Sequence, residues 1–171
     1  MFHRHAFRML CLGAVLAATA SREVARPMLV RVRNAATNTY LTAEGNAQWV
    51  QFGNEPVRLR ALDPNDPRQL WYIEPFNEDR DRQLLWNVLA GRVLEIDAQT
   101  RMATTNLRLP GVSPNQAFYF WLSDPVGLRG EFRFGSGCLD AYYANNAYGP
   151  EVGTWACHGR DNQAWILQAP K

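Results

Sequence analysis

Asn162-Gln163-Ala164-Trp165 decides the reading of this chain, because the Gln-x-aromatic pattern at its end occurs twice more. Gln69-Leu70-Trp71 and Gln116-Ala117-Phe118 carry it, and the same 47-residue interval separates Trp71 from Phe118 and Phe118 from Trp165. Two equal intervals mark an internal duplication. A second marker keeps the same order: an apolar pair stands at Tyr40-Leu41, Val93-Leu94 and Cys138-Leu139. Its leucine lies 30, 24 and 26 residues ahead of the motif aromatic. The fixed interval defines the unit, and the uneven one locates loops of different length.

Within each unit the signals are those of short strands. Leu29-Val30-Arg31-Val32-Arg33 and Val57-Arg58-Leu59-Arg60-Ala61-Leu62 alternate apolar and charged residues, the period of a half-buried strand. Leu84 to Leu89, Glu131 to Phe134 and Trp165 to Leu167 are rich in aromatic or branched side chains. Turn formers separate them at Asn34–Asn38, Asp63–Pro67, Gly111–Asn115, Gly135–Gly137 and Gly149-Pro150. The nearest thing to a helix is Leu84 to Ile96, which Gly91 and the β-branched residues weaken. A unit of this length has room for four short strands and cannot enclose a core alone. Three units closed around a pseudo-threefold axis can, and closure removes the exposed edges. The expected fold is therefore all-β, a β-trefoil spanning 28–168, with units of approximately 28–74, 75–121 and 122–168.

The residues ahead of it read as an export leader. Met1 to Arg8 is a basic start, Met9 to Ala17 a short apolar run, and Ala18-Thr19-Ala20 a plausible cleavage site before Ser21. The apolar run is about half what crosses a bilayer, so a cleavable signal over 1–20 and a linker over 21–27 are expected, with no membrane span. Removing Arg4 and Arg8 takes the 18 basic residues to 16, equal to the 16 acidic ones. A neutral mature domain has no field to attract polyphosphates, which argues against nucleic-acid binding. Cys11 leaves with the leader, and Cys138 and Cys157 remain. In an oxidising compartment they are expected to form a disulfide, the alternative being two buried free thiols.

The three Gln-x-aromatic motifs at this spacing resemble the Gln-x-Trp signature of the ricin B-chain lectin family. The third unit is closest, through Gly137-Cys138-Leu139-Asp140, Trp155-Ala156-Cys157 and Asn162-Gln163-Ala164-Trp165. The resemblance implies a secreted carbohydrate-binding module for galactose-type glycans, with one site in that unit. Asp140 would grip two hydroxyls, Trp155 would stack on the apolar face of the ring, and Asn162 with Gln163 would complete the set. His158, the sole histidine after cleavage, would assist a hydroxyl. Such chemistry needs an aromatic platform together with a carboxylate and an amide. Against these stand plainer roles: Asp140 capping its loop, Trp155 in the core, Asn162 bracing its own turn with Asp161, and His158 as a surface turn residue. Tyr142, Tyr143 and Tyr148 would widen the aromatic surface or simply pack it.

One departure from the family pattern is Gly153, where a polar residue, often glutamine, is usual. The other units look degenerate. In the second, Glu95 takes the acid position and Asn115-Gln116 survive, but Leu107-Arg108-Leu109 offers no platform. In the first, Thr42 and Arg68 replace the acid and the asparagine.

A catalytic reading finds no serine elbow, zinc-ligand spacing or phosphate loop, and the units leave no room for a catalytic insertion. The expectation is a non-enzyme with no cofactor and no metal. Its partner is a glycan or glycoconjugate on a cell surface. One rival reading is an accessory subunit of a secreted toxin of the cytolethal distending type, which would add a toxin or enzyme subunit as partner. Another is a trefoil protease inhibitor presenting Asp63–Pro67 or Gly111–Pro114.

Overall fold

The computed structural model describes residues 27–45, 54–75, 81–111, 113–135, 137–144 and 147–170. The expected leader over 1–20 and nearly all of the linker over 21–27 lie outside them. The described residues form strands β1 (Met28–Asn34), β2 (Tyr40–Ala43), β3 (Glu55–Arg60), β4 (Trp71–Pro75), β5 (Gln83–Asn87) and β6 (Arg92–Ile96). The series continues with β7 (Ala103–Asn106), β8 (Tyr119–Asp124), β9 (Arg129–Phe134), β10 (Gly137–Ala144), β11 (Ala147–Trp155) and β12 (Trp165–Gln168). Two 3₁₀ turns, Pro67–Gln69 and Asp161–Gln163, each deliver a motif glutamine. The helical alternative over Leu84–Ile96 is not realised. That stretch is two strands joined at Gly91, whose φ of 60° no ordinary helix accommodates.

The pairings repeat three times around a closed barrel. β1, β4, β5, β8, β9 and β12 pair antiparallel in a ring, β1 meeting both β4 and β12. The step from β5 to β8 is a single bridge, Gln83 to Phe118, with reciprocal backbone bonds of 2.8 and 3.0 Å. Hairpins β2–β3, β6–β7 and β10–β11 cap one end. Their second strands meet through β3–β7, β3–β11 and a bridge between Met102 and Gly153.

The motif residues explain the closure. Trp71, Phe118 and Trp165 are each fully buried in one core, where Phe132 packs edge-on at 4.9 Å from Phe118 and 6.3 Å from Trp165. Each such ring removes on the order of 150–250 Å² from water. The glutamines are buried beside them and tie the preceding loop in the same way. Gln69 donates to the Ala61 carbonyl (2.8 Å) and accepts from Asp63 N–H (3.0 Å). Gln116 does so with Leu107 and Leu109 (2.8 and 2.9 Å), and Gln163 with Ala156 and His158 (3.0 and 2.9 Å). One side-chain amide thus satisfies a carbonyl and an N–H two residues apart, in all three units.

The indoles add a bond that phenylalanine cannot. Trp71 Nε1 donates to the Leu41 carbonyl at 2.9 Å and Trp165 Nε1 to the Leu139 carbonyl at 3.0 Å. Trp165→Phe keeps the ring in the core but strips that donor from a buried carbonyl. It is expected to cost about 1–3 kcal/mol in urea unfolding. An unchanged midpoint would show that the indole bond contributes nothing.

Candidate functional site

The third hairpin carries the candidate site. In β10 and β11 the register sets Asp140 opposite Gly153 and Cys138 opposite Trp155, so all four lie on one face of the pleat. Cys138 and Cys157 form the expected disulfide, with Cα atoms 5.1 Å apart and a sequence separation of 19. It fastens the start of β10 to the segment just after Trp155. In the chain-entropy picture such a loop contributes roughly 3 kcal/mol by restricting the unfolded chain.

Four of the five expected site residues converge. Asn162 Nδ2 donates to both Asp140 oxygens at 3.0 Å, and Gln163 Nε2 to Oδ2 at 2.7 Å. His158 Nε2 stands 3.5 Å from the same Oδ2. Arg160 N–H donates to His158 Nδ1 at 3.2 Å, so in the neutral ring the proton is assigned to Nε2, facing the carboxylate. Asp140 is only 4% exposed and Gln163 is wholly buried. Gln163 is therefore a positioning residue that aims Asp140 and cannot reach a ligand. Burial pushes the Asp140 carboxyl above the usual range, outweighing the lowering by Gln163, Asn162 and His158.

Trp155 behaves differently. Its relative exposure is 62%, against 0% for Trp71 and Trp165, so it is not a core residue. It lies on the same face as the buried acid, two residues along β11 from Gly153, the partner of Asp140, and opens an exposed stretch over residues 155–160. Gly153 also has a structural reason. A Cβ there would stand 2.5 Å from the Arg101 carbonyl oxygen and 2.6 Å from the Tyr142 hydroxyl. A glutamine side chain at this point has no room. Arg101, held at φ 64°, crosses over from the β6–β7 hairpin and donates to Thr154 Oγ1 at 3.1 Å. Tyr142 donates to the Thr154 carbonyl at 3.2 Å, and burial raises its pKa. Sequence reading missed Arg101, because nothing local to the third unit points to it.

The second unit keeps half of this arrangement. Glu95 accepts from Gln116 at 2.6 Å and from Asn106 at 3.2 Å, but Asn115 contributes only backbone contacts there among the described bonds. Asn106, opposite Val93, takes the ladder position that Trp155 holds opposite Cys138, so no ring stands there. In the first unit Thr42 is buried and donates to its own strand, at the Tyr40 carbonyl, while Arg68 pairs with Asp66. Among the described residues no three His, Cys, Asp or Glu gather to hold a metal ion, and no helix is long and apolar enough to cross a membrane.

No family model matches this chain, and no curated protein matches it. Solved structures do. The designed 3-fold symmetric protein ThreeFoil aligns with a TM-score of 0.66 at 16% identity, over 82% of this chain and 98% of its own. The BEL β-trefoil aligns at 0.63 and 16%, over 84% and 94%. The Rhizoctonia solani agglutinin aligns at 0.64 and 15%, over 84% and 96%. At such identities the likeness establishes the fold, a closed trefoil-type barrel.

Two outcomes are expected from this geometry. Gly153→Gln should destabilise the protein by about 1–3 kcal/mol, because the added atoms meet backbone and a fixed ring; a melting temperature equal to wild type would contradict it. The second concerns pH. Unfolded, Asp140 titrates near its ordinary 3.8; folded, it titrates higher. Between the two, the folded state holds a proton that the unfolded state has released. The stability contributed by this group is thus full below that window and falls as pH rises through it. The melting-temperature difference between wild type and Asp140→Asn should move against wild type over that rise, and a flat difference would refute the assignment.

Proposed function

We propose that the chain is a secreted, non-catalytic carbohydrate-binding module that takes one galactose-type residue at the third-unit site. The observation that carries the proposal is the exposed Trp155 ring beside a buried, amide-held carboxylate. Water-facing tryptophan next to a fixed acceptor suits a pyranose, which offers an apolar C–H face and a rim of hydroxyls. In this reading the ring stacks on Trp155. One hydroxyl enters from the half-open His158 side and hydrogen-bonds to the Asp140 carboxylate. Asn162 and Gln163 keep the carboxylate aimed, and the disulfide keeps platform and acid in register, so little ordering remains to be done on binding. The disulfide also fits an oxidising compartment. The likeness to an agglutinin in fold is compatible with this use of the surface.

Titration with galactose or N-acetylgalactosamine, followed by tryptophan fluorescence and calorimetry, tests the proposal. Trp155→Ala should weaken binding by about tenfold or more, on the scale of a lost aromatic contact, while leaving the melting temperature near wild type. Asp140→Ala should abolish binding. A wild-type protein indifferent to both sugars, with a Trp155→Ala variant that loses stability, would make Trp155 a structural residue.

A further inference from the structure

Trp155 is not the only tryptophan facing water. Trp121 in β8 is 60% exposed. The strand ladders carry it to the site without a break. Trp121 pairs with Glu131 and Tyr119 with Arg133 across β8–β9, Arg133 pairs with Cys138 across β9–β10, and Cys138 pairs with Trp155 across β10–β11. These positions share one face of the sheet. Side-chain contacts follow the same line. The Arg133 guanidinium lies 4.7 Å from the Trp121 ring centre, and Arg133 bonds to Glu131 Oε2 at 3.0 and 2.8 Å. Glu131 Oε2 in turn stands 3.7 Å from the disulfide sulfur of Cys138. The two exposed indoles are thus ends of one bracket, three ladder steps across the sheet and two residues along it, roughly 16 Å apart.

We infer, resting on the carbohydrate reading above, that Trp121 is the platform of a second subsite, and that the ligand is an oligosaccharide lying across β8–β11. A single pyranose does not reach from Trp155 to Trp121. Arg133 covers one face of the Trp121 indole and fixes its orientation, which leaves the other face to the ligand. Between the platforms the strip is a balanced Arg133–Glu131 pair. It offers N–H donors and carboxylate acceptors to hydroxyls and adds no net charge to draw an ionic partner. Arg133 is a positioning residue in this arrangement, and its side chain is still 40% exposed.

The experiment compares galactose with galactotriose on the full chain by calorimetry. Wild type should bind galactotriose more tightly than galactose. Trp121→Ala should reduce galactotriose affinity by about tenfold, to near that of galactose, and leave galactose affinity unchanged. Trp121→Phe should recover most of the loss, which a mere change in folding would not produce. If Trp121→Ala binds galactotriose as wild type does while Trp155→Ala loses both sugars, the second subsite is overturned and the primary site stands. If wild type binds neither sugar, the carbohydrate reading itself fails and takes the subsite with it.

Discussion

The structure depends on three aromatic side chains meeting in one buried core. Trp71, Phe118 and Trp165 are all withdrawn from water, and each arrives from the first turn or strand after a loop that its own glutamine has tied down. No single unit buries enough apolar surface to hold such a ring, so the units are stable only together. Closure of the barrel follows from that requirement. The hairpin cap follows in turn, because β2–β3, β6–β7 and β10–β11 are the portions of each unit left outside the ring.

The same tether that builds the fold aims the candidate site. In each unit the glutamine amide binds a backbone carbonyl and an N–H; in the second and third units it also reaches an acid, Glu95 or Asp140. The acid is therefore fixed as a by-product of core formation, which is cheaper in ordering entropy than positioning it on a mobile loop. What singles out the third unit is added to that common frame: a disulfide, Asn162 on both carboxylate oxygens, and a tryptophan left in water. The neighbouring unit intrudes as well. Arg101 presses against Gly153 from the second hairpin, so the site belongs to two units although its polar residues come from one.

Much of this was legible in sequence, and the remainder was hidden for identifiable reasons. The Gln-x-aromatic spacing announced three related units, and alternation in Leu29–Arg33 and aromatic content in Glu131–Phe134 marked strands that the structure contains. Pairing of Cys138 with Cys157 was expected from an even count, and Asp140, Asn162, Gln163 and His158 were expected together and do converge. Exposure was not legible. Motifs set Trp155 and Trp165 apart, but nothing in the sequence marked Trp121 as facing water, because burial depends on which face of a strand meets the axis. Strand β8 is exposed along most of its length despite its apolar composition, so no periodic pattern betrayed it. Gly153 read only as a departure from the family pattern; its cause, the Arg101 carbonyl from the second hairpin, is purely tertiary.

The most direct measurement of the central claim is a crystal structure of the protein soaked with galactose. The account predicts the sugar's apolar face against the Trp155 indole and a hydroxyl within hydrogen-bonding distance of Asp140, beside His158. Density for the sugar elsewhere on the surface, with the Trp155 ring bare, would contradict it.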